Sequence, residues 1–184
     1  MSIKMEEIVY VLLNHEKLIQ NNLKKKKELY EEMRWQNEDR ELIETLALRS
    51  GLLSSSGGKT AKGLEELVIK KNKEKSNYQK ELQKRMEFLD REWKIIQRVW
   101  VCLQALSTEQ NVILRKMYLE KEKWSVIERQ LSISHGSLVK KRKKALLNIQ
   151  KMYDSPYTNL QIAGDAGSLI EIDEKRRLEN DKKS

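Results

Sequence analysis

The scarcity of residues that interrupt helices is the feature that most limits what this chain can fold into. Its 184 residues include one proline, seven glycines and one phenylalanine, whereas β-sandwiches and barrels need frequent turns and many strand-forming residues. Four of the glycines lie together between residues 49 and 63, so long stretches on both sides contain almost none. The sequence therefore predicts an all-α protein.

Two long segments flank the glycine-rich stretch, and in both the apolar residues recur at the spacing of a helix face. Between residues 3 and 48 the repeating positions are Met5, Ile8, Leu12, Ile19, Leu23, Tyr30 and Met33. Between residues 64 and 105 an approximate heptad runs through Tyr78, Leu82, Arg85, Leu89, Trp93, Ile96, Trp100 and Leu103. Asn22 and Lys26 interrupt the first pattern, so we expect an imperfect seam.

These segments predict a helical stalk over residues 1–105, with a Gly/Ser linker at 49–63. The two long helices can fold back on each other as a coiled-coil-like hairpin, or they can pair between two chains as the stalk of a homodimer. The sequence leaves both arrangements open, and the oligomeric state with them.

Positive charge is concentrated in the segment that follows the stalk. The formal net charge is +9, and residues 106–153 alone carry 11 basic and four acidic side chains. Five consecutive basic residues run from Lys140 to Lys144, with no acid between Glu128 and Asp154. Such a run is either a solvated helix face or a surface that binds a polyanion. Beyond it, Pro156 breaks the helix, and we expect residues 154–184 to form a flexible acidic tail.

The segment 106–153 is predicted to contain three short helices. Ser107 and Gln110 have the spacing of a capping box at the start of the first helix. The second helix has the apolar stripe Trp124, Ile127 and Leu131, followed by a turn at Ser132-Ile133-Ser134. Ser134 is placed to cap a third helix whose inner side consists of Leu138, Ala145, Ile149 and Met152. This arrangement is a helix-turn-helix, in which the last helix can enter a DNA major groove.

The predicted DNA-binding residues lie on this third helix, and no other site is predicted. They are His135, Gly136, Ser137, Lys140, Lys141, Arg142, Lys143 and Lys144. We expect the basic run to meet phosphates, and His135, Ser137 and Lys140 to face base edges. With roughly 4–6 phosphates neutralised, the log–log dependence of affinity on salt should have a slope of about −4 to −5.

Segment Leu106–Tyr153 resembles region 4 of sigma-70-type factors, and the run KWSVIERQLSIS followed by KKRKKAL more closely resembles the ArpU/RinA-like regulators of phage late genes. The positions that carry the resemblance are Trp124, Ile127, Leu131, Ile133, Ser134, Leu138 and Ala145. Three residues depart from the pattern. Glu128 replaces a small Ala, Ser132 replaces a frequent turn Gly, and Arg142 stands at a position that is often apolar.

The resemblance implies a sequence-specific regulator of phage or mobile-element transcription. Such a protein binds double-stranded promoter DNA and acts with host RNA polymerase. It is located in the cytoplasm of the bacterial host cell, in association with the nucleoid. The DNA sequence and the sign of regulation stay open. Two other classes stay open. One is a phage terminase small-subunit-like packaging protein, which also joins a helix-turn-helix to helical parts and forms closed rings. The other is a coiled-coil interaction protein, in which the 64–105 helix binds a partner and the basic segment is incidental.

Catalytic, metal and membrane functions have no sequence support. Cys102 is the one cysteine, and His15 and His135 have no metal-ligand spacing. We find no acid–base pair placed with a nucleophile and no cofactor fingerprint, and no apolar run approaches the length of a membrane span. We therefore expect a protein that is not an enzyme and uses no cofactor, no metal and no membrane.

Overall fold

The computed structural model describes residues 2–49 and 59–164, and for 36–49 and 59–68 it describes the backbone only. Within these ranges the regular structure is entirely helical, which confirms the all-α prediction. The helices are α1 (Met5–Leu13), α2 (His15–Arg49), α3 (Lys59–Gln104), α4 (Thr108–Leu114), α5 (Trp124–Leu131), α6 (His135–Asp154) and the short α7 (159–164). A π-helical turn, Arg115–Leu119, continues α4. None of these helices is both long enough and apolar enough to cross a bilayer.

The predicted linker at 49–63 overlaps both long helices. Arg49 is the last residue of α2, and residues 59–63 already belong to α3. The remaining linker positions, 50–58, lie outside the described residues. The predicted continuous helix over 3–48 is also interrupted. Helix α1 ends at Leu13, and the side-chain Nδ2 of its C-cap residue, Asn14, donates to the Tyr10 carbonyl at 3.0 Å.

The chain divides into two compact units, one continuous in sequence and the other built from two segments far apart in sequence. The hairpin unit is Gln20–Glu92, and the bundle unit is Met1–Ile19 together with Trp93–Ser184. The bundle unit therefore extends beyond the predicted DNA-binding segment 106–153 on both sides. The reason is its shared core: Ile8 of α1 and Val99 and Leu103 of α3 are as fully buried as Ile113 of α4.

A single apolar core holds the bundle unit together. Helix α1 buries Ile8, Val11 and Leu12 on one face, and α6 buries Leu138, Ala145, Leu146, Ile149 and Met152.

His15 stacks on Trp100 with ring centroids 4.0 Å apart. Burial lowers the pKa of His15, so this ring is neutral at pH 7. Burial also raises the pKa of Cys102 to about 12, so its thiol stays protonated at neutral pH.

The prediction of a flexible tail over 154–184 is wrong for residues 155–164. Ile162 of α7 is 2% exposed and belongs to the core. Arg98 of α3 donates hydrogen bonds to the carbonyls of Met152, Tyr153, Ser155 and Tyr157, and to Asn159 Oδ1. These acceptors are the open carbonyls at the end of α6 and in the turn after it, which a guanidinium can satisfy together. Residues 165–184 lie outside the described part of the chain.

In the hairpin unit α2 and α3 run antiparallel, and their seam contains polar residues. Asn22 Nδ2 donates to the Leu89 carbonyl at 2.9 Å, and Lys26 Nζ lies 2.7 Å from Asp90 Oδ1. The predicted seam residues Leu23 and Tyr30 are instead 52% and 62% exposed. Ile8 and Leu12 are buried as predicted, and Met33 packs on the hairpin core. The prediction is one position out of phase at Leu23 and Tyr30, because Asn22 and Lys26 are themselves seam residues with partners on α3.

Candidate nucleic-acid interface

Helices α5 and α6 are joined by a turn of three residues, Ser132, Ile133 and Ser134. Ser132 takes a left-handed backbone conformation (φ 51°, ψ 43°), and the Ile133 backbone N–H donates to the Glu128 carbonyl at 3.1 Å. Ile133 is partly buried against the core. Ser134 then caps α6, because its Oγ accepts the backbone N–H of Ser137 at 3.3 Å. The predicted cap at Ser134 is confirmed.

The capping box predicted for Ser107 is wrong. Its side chain makes no capping hydrogen bond at the start of α4. Gln110, the other predicted member, points its Oε1 at α6, where it accepts from Asn148 Nδ2 at 3.0 Å. The two residues are thus used differently: Ser107 makes no capping hydrogen bond, and Gln110 connects α4 to α6.

Helix α6 has one buried and one exposed side along its whole length. The buried side is anchored by Leu138 and Ile149, both completely buried. On the opposite side Gly136, Lys140, Lys143 and Lys144 are exposed at helical spacing, and we call these four residues the α6 outer face. A Cβ added at Gly136 would meet no atom within 4 Å, so the start of this face is open to close approach by a ligand.

The three lysines of the α6 outer face have no acidic partner in the part of the chain that the structure describes. Among the described residues, no carboxylate lies within ion-pair distance of Lys140, Lys143 or Lys144. Three uncompensated ammonium groups on one helix side raise the local potential and attract an anion. Lysines on a solvent-exposed helix face can be stabilised by acidic residues at i,i+4. Helix α6 has no acidic residue at those positions relative to the three lysines.

Two other members of the predicted basic run are engaged within the bundle unit. Lys141 forms an ion pair with Glu109 of α4. Arg142 Nε donates to the Tyr118 hydroxyl at 2.6 Å, and its guanidinium lies 5.6 Å from the Tyr118 ring centroid and 5.9 Å from that of Trp124. The structure thus brings Lys140, Lys143 and Lys144 together and directs Arg142 toward α5 and the π-helical turn.

Comparisons with family models, curated proteins and solved structures find no match. The resemblance to sigma region 4 and to the phage late-gene regulators therefore stays a hypothesis. Function has to be inferred from the contacts and charges of the interface itself.

The remaining predicted residues lie at the start of α6. His135 is 67% exposed, and its Nδ1 lies 2.6 Å from Oε1 of Glu128 on α5. Its ring is tilted against Trp124 at a centroid distance of 5.2 Å. Ser137 is half-buried and its backbone N–H is taken by the cap. His135 therefore connects α5 to α6 while its exposed edge remains at the surface.

Two of the three departures from the resembled pattern have partners in the structure. Glu128, at the position of a small residue, holds His135, and Arg142, at an apolar position, packs on Tyr118 and Trp124. Sequence reasoning did not find these pairings, because their partners are seven and 24 residues away. Among the described residues no group of three His, Cys, Asp or Glu side chains is arranged to hold a metal ion.

Proposed function

We propose that this chain is a sequence-specific transcription regulator that binds double-stranded DNA through a helix-turn-helix formed by α4, α5 and α6. One observation carries the proposal: α6 is fixed by Leu138 and Ile149 on one side, and on the other it exposes Lys140, Lys143 and Lys144, for which the described residues supply no ion-pair partner. One helix of this kind fits the major groove. The three lysines would contact phosphates, and Gly136 would allow the DNA close to the helix start.

The wider biological role extends the same proposal. The resemblance of Trp124–Ala145 to late-gene regulators favours a phage or mobile-element protein that acts at promoters with host RNA polymerase. The long helices of residues 1–105 are then the stalk of the regulator and not the DNA-binding part. In this role the lysines of α6 bind DNA, and no catalytic step is required of them.

The test is DNA binding by the full chain over a series of salt concentrations, after footprinting has located a site near the protein's own gene. The variant K140A/K143A/K144A should lower affinity and make the log–log salt slope less steep by about 2–3, since each lost phosphate contact changes it by roughly 0.9. The matched control K70A/K71A/K73A removes three exposed lysines of α3 and should leave the slope unchanged.

A second comparison separates the α6 outer face from the internal contacts of the same run. R142A should lower the free energy of unfolding by about 1–2 kcal/mol, because it removes a hydrogen bond to Tyr118 and two cation–π contacts. K143A should leave stability unchanged and weaken DNA binding. Equal salt slopes for the wild type and the triple lysine variant would exclude the proposed function.

A further inference from the structure

An apolar groove with a large exposed aromatic side chain lies on the hairpin unit, between α2 and α3. Its volume is about 610 Å³, and the seam leucines Leu29 and Leu89 contribute to its lining. Phe88, the one phenylalanine in the chain, also lines it and is 54% exposed. An aromatic side chain left half in water beside an apolar floor is typical of a surface that another molecule covers.

The direction of the two helices decides how the charges of this groove are arranged. Asn22 pairs with Leu89, and farther along α2 the Glu32 carboxylate accepts a hydrogen bond from the Tyr78 hydroxyl. Residue numbers thus rise on α2 as they fall on α3. A position on α2 can therefore be matched with the level of α3 that lies beside it.

The charged residues that line the groove are sorted by sign along this axis. Its basic half contains Lys25, Lys84, Arg85 and Arg91. Its acidic half contains Glu28, Glu32 and Glu81. From Lys25 to Glu32 the rise is roughly 10 Å at 1.5 Å per residue. The intramolecular Arg85–Glu81 contact at 3.4 Å joins two half-exposed side chains and is a weak i,i+4 pair.

We propose that this groove is the contact surface between two copies of the chain, which dock antiparallel about a two-fold axis. That symmetry places the basic half of each copy on the acidic half of the other and covers both Phe88 side chains. An occupant with one sign of charge would meet repulsion in one half of the groove, whereas a reversed second copy is complementary in both. This interface is independent of DNA and goes beyond the proposed function.

The experiment measures the dimer dissociation constant of the full chain by sedimentation equilibrium without DNA. The variant E28K/E81K leaves Glu32 as the one acid among the lining residues, and K25E/K84E leaves Arg85 and Arg91 as their two bases; all four substituted residues are exposed. Each variant alone should dimerise at least roughly tenfold more weakly than the wild type, because like charges then face each other. An equimolar mixture should recover a dimer containing one copy of each, since the predominantly basic groove then faces a predominantly acidic one.

The matched controls make the same kind of change outside the groove. E31K/E74K reverses two exposed acids that do not line it, and Y30A removes an exposed aromatic residue of α2. Both should dimerise as the wild type does, whereas F88A should weaken the dimer. Helix content by circular dichroism checks that each variant is folded.

The proposal is overturned if the wild-type chain is a monomer at every concentration measured. It is also overturned if both charge variants dimerise as well as the wild type, or if their mixture forms no mixed dimer. Because no step uses DNA, these outcomes are independent of whether the chain binds a promoter.

Discussion

Ser132, in the turn between α5 and α6, is one of two described non-glycine residues with a positive φ. Its φ of 51° and ψ of 43° place it in the left-handed region, where an L side chain costs roughly 1 kcal/mol and glycine does not pay that cost. The exchange S132G should therefore raise the free energy of unfolding by about 0.5–1 kcal/mol. Urea denaturation followed by circular dichroism measures the change.

A glycine placed two residues earlier is the control for this prediction. Gln130 is exposed inside α5, and Q130G should lower stability by about 0.5–1 kcal/mol, since glycine is unfavourable in a helix interior. A loss of stability for S132G would mean that the serine side chain contributes more to the turn than its conformation costs.

At the scale of single elements, Arg98 decides how α6 ends. Its guanidinium binds four backbone carbonyls and one side-chain oxygen between Met152 and Asn159. Removing all of these donors in R98A leaves part-buried carbonyls without partners and should lower the free energy of unfolding by about 3 kcal/mol. R98K keeps the charge but not the planar set of donors, and should lose about half as much.

Hydrogen exchange gives this prediction a local measurement. In R98A the amides of residues 155–164 should exchange much faster, while those of α5 should change little. The control R129A removes an exposed arginine of α5 and should stay within about 0.5 kcal/mol of the wild type. Unchanged protection at 155–164 in R98A would show that Ile162 alone holds this segment.

The elements also show how far the sequence predicts this structure. The helices and the turn at Ser132–Ser134 follow from apolar spacing and from the cap at Ser134, which are local signals. The seam of α2 does not, because Asn22 and Lys26 are stabilised by Leu89 and Asp90 on another helix. The order of 155–164 was missed for the same reason: it depends on Arg98, more than 50 residues earlier. At the candidate interface the sequence identifies the basic helix. It does not show that Lys141 and Arg142 are engaged by other residues of the chain.

At the scale of the whole molecule, the smallest part that folds should be the bundle unit and not the segment 106–153. Isolating 106–153 would remove Ile8, Leu12, Val99 and Leu103, which are at most 1% exposed and complete the core around Ile113. We therefore expect this fragment to show no cooperative thermal transition and little affinity for DNA, because α6 loses the packing that orients it.

A shortened chain that keeps the core is the counterpart of this fragment. His15 stacks on Trp100 within the bundle unit, so the start of α2 lies beside the end of α3, and a short Gly/Ser connection can replace residues 20–92. This chain should unfold cooperatively and should bind a single DNA site with a salt slope like that of the full chain. It lacks the groove of Phe88, so it should be monomeric at concentrations where the full chain is a dimer.

Cooperative folding of 106–153 alone would contradict the expectation that this fragment shows no cooperative transition. Loss of DNA binding by a folded shortened chain would instead place the DNA contacts on the hairpin unit and remove the basis for assigning them to α6.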